Sequence, residues 1–200
     1  LHLCHHNLET IETNIYDSDN AKHNLLLEVC MAAKYEGESL TRYHRDYQLK
    51  YGDSPSQICT VLERSFVDIG DIIRGKDLFY GNKQEKEKRE QLDEKLKTIF
   101  GHIYKDVTNG RNGQKSAEAE KRYNDTDKNY YQLREDWWAL NREEVWKAIT
   151  CDVKSGNNYF RRTCSNDTSD TNEKCRCKDE KGANADQVPT YFDYVPQYLR

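Results

Sequence analysis

Residues 130–151, YYQLREDWWALNREEVWKAITC, hold all three tryptophans of this 200-residue chain. Apolar side chains recur there at the spacing of one helix face: Leu133, Trp137, Leu140, Val145 and Ile149. Trp138 and Trp146 widen that face, which predicts a core helix with neighbours on two sides rather than a tryptophan-lined ligand site. Charged residues fill the remaining arc, which we expect to face solvent: Arg134, Glu135, Arg142, Glu143 and Glu144. Cys151 ends the stretch and suggests a covalent tie.

The composition favours a helical fold. Hydrophobic residues make up 36% of the chain and charged residues 33%, so a core forms only if apolar side chains are segregated to one face of each element. The 10 glycines and 3 prolines are too few for a loop-rich β fold. We therefore predict an all-α, disulfide-tied bundle of long amphipathic helices with long polar loops. The net charge of −4 provides no global field to attract nucleic acid, so no nucleic-acid partner is expected.

Further helices follow from apolar periodicity and from residues typical of helix ends. The predicted helices cover residues 1–15, 20–51, 54–75 and 83–107, with a short helical piece near 117–123. Asn20 is expected to cap the second of these helices, and Gly37 to mark a kink or a close helix contact. Ser54 and Pro55 form a typical helix start, and Gly75 a typical stop. We expect Ser54 to act as a cap and not as a nucleophile, since nothing places a base beside it.

Two polar stretches are predicted to be loops. Residues 109–128 contain two Asn-Gly pairs, and residues 152–188 would be disordered unless crosslinked. Asn124 and Asn166 fit the N-glycosylation pattern, which is a weak signal. A final helix is expected to begin at about Val195.

Seven scattered cysteines are typical of an extracellular disulfide framework. Their odd number leaves one free or paired outside this chain. Cys175 and Cys177 are too close to bridge to each other without strain, so we expect each to pair with a different partner. No signal peptide opens the chain and no apolar run is long enough to span a bilayer. Leu1 already begins an amphipathic pattern, so we expect the chain to be part of a larger protein.

No catalytic or cofactor motif is present in the sequence. His2, His5 and His6 flank Cys4, but no second cluster with matching spacing exists, so we expect a solvated helix face rather than a metal site. The chain has no HExxH, P-loop, Rossmann glycines, GxSxG or paired CxxC motifs. We therefore expect no metal, no cofactor and no enzyme activity. The patterns favour an adhesion or recognition module, with a secreted enzyme as the least favoured alternative.

Several blocks of the sequence resemble the Duffy-binding-like domains of malaria parasites. The blocks are 1–8 (LHLCHHNL), 24–37 (NLLLEVCMAAKYEG), 64–78 (RSFVDIGDIIRGKDL), 133–138 (LREDWW), 145–151 (VWKAITC) and 188–200 (VPTYFDYVPQYLR). They resemble most the alpha class of the Plasmodium falciparum erythrocyte membrane protein family, and they occur in family order over the whole chain. The resemblance implies that residues 1–187 are the second, helical subdomain and that residues 188–200 begin the third.

The resemblance implies a variant adhesin without catalytic activity, on the extracellular face of the infected erythrocyte membrane, as part of a larger membrane-anchored protein. The implied partners are host erythrocyte or endothelial receptors, in rosetting or cytoadhesion. Candidates include sulfated glycans such as heparan sulfate, blood-group sugars and complement receptor; antibodies are a further class of partner. The alternative is a structural scaffold and immune decoy, whose variable loops 109–128 and 153–187 change under antibody selection while flanking subdomains bind the receptor.

The resemblance also implies a pairing of the cysteines. The expected disulfides are Cys30–Cys151, Cys59–Cys177 and Cys164–Cys175, or the same set with Cys175 and Cys177 exchanged. Cys4 would then pair outside this chain.

Three basic clusters are candidate glycan sites, because a sulfated polysaccharide needs several cations on one surface. The first comprises Lys83, Lys86, Lys88 and Arg89; the second Arg111, Lys115, Lys121 and Arg122; the third Arg161 and Arg162. Acidic neighbours neutralise the first cluster, and charged helix faces often serve only solubility. The second cluster is the preferred site, since fewer acids surround it.

Overall fold

The computed structural model describes residues 8–9, 11, 20–51, 57–78, 81–109, 113–154, 159, 162–164, 169–171, 174–177 and 188–200. Within the helices, it leaves out the side chains of residues 45–51, 57 and 113–115.

Five α-helices account for most of the described chain. They are α1 (Ala21–Tyr51), α2 (Gln57–Arg74), α3 (Lys83–Thr108), α4 (Gly113–Tyr123) and α5 (Tyr131–Ile149). Two 3₁₀ turns follow, Phe192–Tyr194 and Gln197–Leu199, and the second lies where the sequence predicted a final helix from about Val195. The described residues contain no strand, only an isolated antiparallel bridge between Cys164 and Ser169. The all-α prediction is confirmed.

Several helix ends form as the local sequence predicted. The carbonyl of Asn20 accepts the amides of His23 and Asn24 at the start of α1. Gly75 ends α2 with a φ of +72°, a conformation that glycine adopts without strain. The predicted Ser54–Pro55 start and most of the 1–15 helix lie outside the described residues.

The chain divides into two compact units, and helices α1, α2 and α5 contribute residues to both. Unit 1 comprises Leu1–Val29 and Asp71–Asn141. Its core includes the buried apolar face of α3, where Phe100 meets Trp137 edge-on with ring centroids 6.2 Å apart. Unit 2 comprises Cys30–Gly70 and Arg142–Arg200. There Trp146 packs edge-on against Phe66 at 5.2 Å and donates its indole N–H to the carbonyl of Cys175.

Helix α5 forms as predicted, but its buried face is rotated from the predicted one. Leu140 is 83% exposed, whereas Arg134, assigned to the solvent-facing arc, is fully buried. The buried face is centred on Arg134, Trp138, Val145 and Ile149. At 100° per residue, Leu140 lies about 140° from the centre of that face. Both assignments were wrong because the broad tryptophan-containing face is not centred on the leucines.

The two disulfides of the described residues follow the exchanged pairing. Cys59 bonds Cys175 and Cys164 bonds Cys177, with Cα separations of 5.4 and 5.5 Å. The first-named pairs, Cys59–Cys177 and Cys164–Cys175, are therefore wrong. The first bond ties Cys175 to α2, and the second links Cys164 to Cys177, as expected for a polar stretch with little apolar surface of its own.

Cys30 and Cys151 are free thiols, so the predicted bond between them is absent. Burial and the nearby carboxylate of Glu144 raise the pKa of Cys30 to about 11. Farther along the two helices, the backbone of Gly37 lies against Ile149. Helix α5 ends at Ile149, so Cys151 lies in the turn that follows it, where its thiol is near the charges of Asp152 and Lys34 and is not bonded to Cys30. Cys4 lies outside the described residues.

Candidate functional site

The first basic cluster is neutralised by acidic partners within unit 1. On α3, Lys83 and Lys86 pair with the glutamates one turn later, at 4.0 and 3.8 Å. Lys88 pairs with Glu9 at 3.2 Å, and Arg89 is mostly buried against Asp77. This cluster therefore offers little unpaired positive charge to a polyanion.

The second cluster is only partly described, since Arg111 and the side chain of Lys115 lie outside the described residues. Lys121 is exposed on α4, and no ion pair of it occurs among the described residues. The guanidinium of Arg122 instead makes two hydrogen bonds to Asp136 of α5, at 2.8 and 3.0 Å. Of the two described cations of this cluster, Arg122 therefore holds α4 against α5, and Lys121 alone remains unpaired among the described residues.

The carboxylate of Asp136, near the start of α5, accepts two further hydrogen bonds. The hydroxyl of Tyr123 and the side-chain amide of Gln132 donate to it at 2.9 and 3.0 Å. These bonds, with that of Arg122 as the largest contribution, hold the pKa of Asp136 below its usual value. Burial and Asp136 raise the pKa of Tyr123. The arrangement is a built ion-pair network, which the spacing of the residues in the sequence did not indicate.

The third cluster is described only at Arg162. Its side chain is exposed and lies 3.8 Å from Asp170, a loose surface pair. Arg161 lies outside the described residues. The sequence-predicted cations thus lie in three separate places, with the first two in unit 1 and the third in unit 2.

Residues 191–199 of unit 2 present an aromatic surface that the sequence patterns did not indicate. Tyr191, Tyr194 and Tyr198 are exposed there, and exposed tyrosines are typical of protein-binding surfaces. The guanidinium of Arg142 holds the segment, because it pairs with buried Asp193 and lies 5.0 Å from the ring of Tyr191. The density of tyrosines in residues 189–200, PTYFDYVPQYLR, is a sequence signal that could have indicated this surface.

Buried Glu63 of α2 provides a second attachment for the same segment. Its carboxylate accepts hydrogen bonds from the hydroxyls of Tyr159 and Thr190. The residues that hold the aromatic surface are thus polar and buried, while its tyrosines remain available to solvent.

The described residues show no metal-binding group and no membrane-spanning helix. Among the described residues, no group of three or more His, Cys, Asp or Glu side chains is arranged to hold a metal ion. The metal site considered as the less favoured interpretation of His2, Cys4, His5 and His6 lies outside those residues. None of the described helices combines the length and apolar character that a membrane span requires.

Comparisons with known proteins define the class of the chain. The family model of the Duffy binding domain matches residues 1–200, so the chain belongs to the Duffy binding domain family. A search of curated proteins returns no match.

Solved structures resemble the chain over nearly its full length. One is the N-terminal NTS-DBL1-alpha and CIDR-gamma double domain of the PfEMP1 protein from the Plasmodium falciparum varO strain, at 38% identity and a TM-score of 0.72. It matches over 99% of this chain and 25% of its own length. Another is a PfEMP1 DBLbeta domain bound to ICAM-1, at 28% identity and a TM-score of 0.63, covering 99% of this chain and 40% of that one. A further PfEMP1 DBLb domain, bound to human ICAM-1, has 28% identity and a TM-score of 0.54, covering 88% of this chain and 30% of that one. The chain therefore spans well under half of the chains it matches.

Proposed function

We propose that this chain is part of an adhesion module of a variant surface antigen, displayed on the infected erythrocyte, that binds a host-cell receptor and catalyses no reaction. The observation that supports this most is the family match over residues 1–200, together with similar domains solved in complex with ICAM-1. Within the module we assign residues 1–187 to the second subdomain and 188–200 to the start of the third.

For a protein receptor, the exposed tyrosines of residues 191–198 offer contact area at low conformational cost. For a glycan receptor such as heparan sulfate, we retain the second basic cluster as the preferred contact. Its exposed member Lys121 supports this choice, while the pairing of Arg122 with Asp136 weakens it. Blood-group sugars, complement receptor and antibodies remain candidate partners of the same module.

The proposal is tested by binding the folded 200-residue chain to erythrocytes and to heparin across a salt series. A quadruple variant replaces Arg111, Lys115, Lys121 and Arg122 with serine, and Lys83→Ser/Lys86→Ser on α3 is the matched control. Binding that weakens steeply with added salt and is lost in the quadruple variant alone supports a glycan site on α4. Binding that is insensitive to salt contradicts the charge-based site.

The variant Asp136→Asn separates the two roles of Arg122. It releases the guanidinium from its ion pair without removing the positive charge. If Arg122 contacts the glycan, this variant binds heparin at least as well as the unmodified chain.

A structural scaffold and immune decoy is the second candidate function. The ion pairs that neutralise the cations of the first cluster favour it, because they leave that surface without net positive charge. Absence of binding to erythrocytes, endothelial cells and heparin by a well-folded chain supports the scaffold and contradicts the adhesion proposal.

A further inference from the structure

A groove of about 480 Å³ in unit 1 belongs to none of the three predicted clusters. It runs along α3 and is closed on one side by the turn that precedes α5. Three lysines line it: Lys97, Lys105 and Lys128. Tyr130, Thr98 and His102 also contribute to its walls.

Gly101 of α3 lets the ring of Tyr130 lie close to the helix backbone at the groove. Lys97, Gly101 and Lys105 are spaced four residues apart and therefore share one helix face. Because Gly101 has no side chain, the hydroxyl of Tyr130 comes within 3.4 Å of the position that a Cβ would take. The half-buried ring of Tyr130 and the bare helix backbone thus form an uncharged floor between two lysines that are about 12 Å apart along the axis.

The opposite wall is a turn held in place by Asp125. The two carboxylate oxygens of Asp125 accept the amides of Asp127 and Tyr130, at 3.0 and 2.7 Å. Lys128 and Tyr130 both have a φ of +56° within this turn. The turn is therefore built before any ligand arrives, and it places Lys128 at the groove.

The three lysines of the groove differ in whether an acidic side chain already binds their ammonium group. Lys97 is bound by Asp93 and Glu94 at 3.0 and 2.9 Å, which also neutralises the carboxylate of Glu94. Lys105 and Lys128 are exposed, and the described residues contain no ion pair of either. Asp127 remains as the acidic member of the lining. The ammonium groups of Lys105 and Lys128 are thus available on either side of the Tyr130 ring. The hydroxyl of Thr98 also lines the groove.

We infer that this groove is a subsite for one anionic sugar unit of a host-cell glycan, bearing a sulfate or a carboxylate. Lys105 and Lys128 bind the anionic group, the ring of Tyr130 packs against the sugar ring, and Thr98 accepts a hydrogen bond from a sugar hydroxyl. The inference rests on the proposed adhesive function and names the chemistry of one of its contacts.

The test is isothermal titration calorimetry of the full 200-residue chain with three defined sugars. The probes are a heparin-derived tetrasaccharide, 3′-sialyllactose and neutral lactose. We expect one or both acidic probes to bind and lactose not to bind. A stronger response to the heparin probe identifies a sulfate ligand, and a stronger response to the sialylated probe identifies a carboxylate.

Two variants locate the binding in the groove. Lys105→Gln/Lys128→Asn removes both available cations, and asparagine tolerates the left-handed conformation at position 128. We expect it to lower the affinity about tenfold or more, since the anionic group loses two charged hydrogen-bond donors. Gly101→Gln fills the groove while leaving every charge in place, and should weaken binding similarly. Lys83→Gln/Lys86→Gln, on the same helix, is the matched control and should bind as the unmodified chain does.

The inference is overturned if a folded chain binds neither acidic sugar, if lactose binds equally well, or if the groove variants bind as the control does. Cell adhesion of the same variants is measured in parallel. Adhesion that persists without sugar binding overturns the groove subsite alone, whereas a chain that binds the sugar but no host cell overturns the proposed function alone.

Discussion

At the scale of single residues, Arg134 shows how one buried charge organises unit 1. Its guanidinium donates to the carbonyls of Ile73 and Ile72 at 2.6 and 3.4 Å, which lie at the end of α2. It also pairs with Asp93 at 3.0 Å and lies 5.6 Å from the ring centre of Phe100. Burial lowers the pKa of Arg134, and Asp93 opposes that effect. The side chain thus satisfies helix-end carbonyls that would otherwise be left without donors.

Replacing Arg134 with methionine should destabilise the fold by about 3 kcal/mol, because buried carbonyls lose their donors while the aliphatic volume is kept. Urea unfolding measures the loss. The matched control is Arg42→Met, since Arg42 is exposed and its partner among the described residues is Glu38, one turn away; a change of about 0.5 kcal/mol or less is expected there. Equal losses in the two variants would contradict the assigned role of Arg134.

Two helical glycines allow a sharper comparison. A Cβ on Gly37 would lie 1.9 Å from the carbonyl oxygen of Ile149, whereas a Cβ on Gly101 would meet its nearest atom at 3.4 Å. Alanine is the better helix former at both positions. Gly37→Ala should nevertheless destabilise by about 2 kcal/mol, since α1 and the end of α5 must move apart.

Gly101→Ala should be neutral or stabilising by up to about 1 kcal/mol. Thermal unfolding of both variants measures the difference. A Gly37→Ala chain as stable as the Gly101→Ala chain would show that the close approach of the two helices is not maintained in solution.

At the scale of helices, α4 depends on an ion pair for its position. The bond from Arg122 and those from Tyr123 and Gln132 all converge on Asp136. The short helix α4 has little apolar surface of its own, so we expect this network to determine how firmly it is held.

The contribution of Asp136 should vanish in acid. Its pKa in the folded chain lies below the ordinary value of 3.8, so its stabilising effect is fully present above that value and is lost as the pH falls through the lower folded pKa. Asp136→Asn should therefore be less stable than the unmodified chain at pH 6, and the two should converge below pH 3.8.

Amide hydrogen exchange within α4, compared between the two proteins at each pH, measures this convergence. Comparing the two proteins cancels the titration of the other carboxylates. A difference that persists unchanged into strong acid would show that Asp136 acts by shape and not by charge.

At the scale of the whole molecule, the crosslinks are unequally distributed between the two units. Both described disulfides, Cys59–Cys175 and Cys164–Cys177, lie in unit 2. They close loops of 116 and 13 residues. In the chain-entropy model such loops contribute about 4–5 and about 3 kcal/mol. Among the described residues, unit 1 depends on its apolar core and on ion pairs.

Reduction with dithiothreitol should therefore loosen unit 2 first. Hydrogen exchange should show lost amide protection near residues 159–177 and at the start of α2, while α3, which lies wholly in unit 1, keeps its protection. The double variant Cys164→Ser/Cys177→Ser should reproduce the effect near residues 164–177 without a reductant. Simultaneous loss of protection in α3 would show that the two units unfold as one.

Local patterns in the sequence predicted much of this architecture, because they depend on neighbours in the chain. The helix over residues 131–149 follows from its apolar spacing, and the end of α2 follows from Gly75. The tight approach at Gly37, expected as a kink or a close contact, is a close contact. The charge alternation at residues 83–90 indicated neutralisation at Lys83 and Lys86, whose partners lie one turn away. It did not indicate the distant partners of Lys88 and Arg89.

By itself, the sequence determined the helical class, the approximate helix bounds and the family, since these depend on periodicity, end residues and ordered blocks. Only the tertiary structure decided which arc of α5 is buried, that Arg134 is the donor to the end of α2, and that Cys59 pairs with Cys175. It also brought Lys105, Gly101 and Lys128 to one groove. The physical reason is that a pairing or a groove depends on distances between segments far apart in the chain, which helix register and packing set and which residue spacing does not encode.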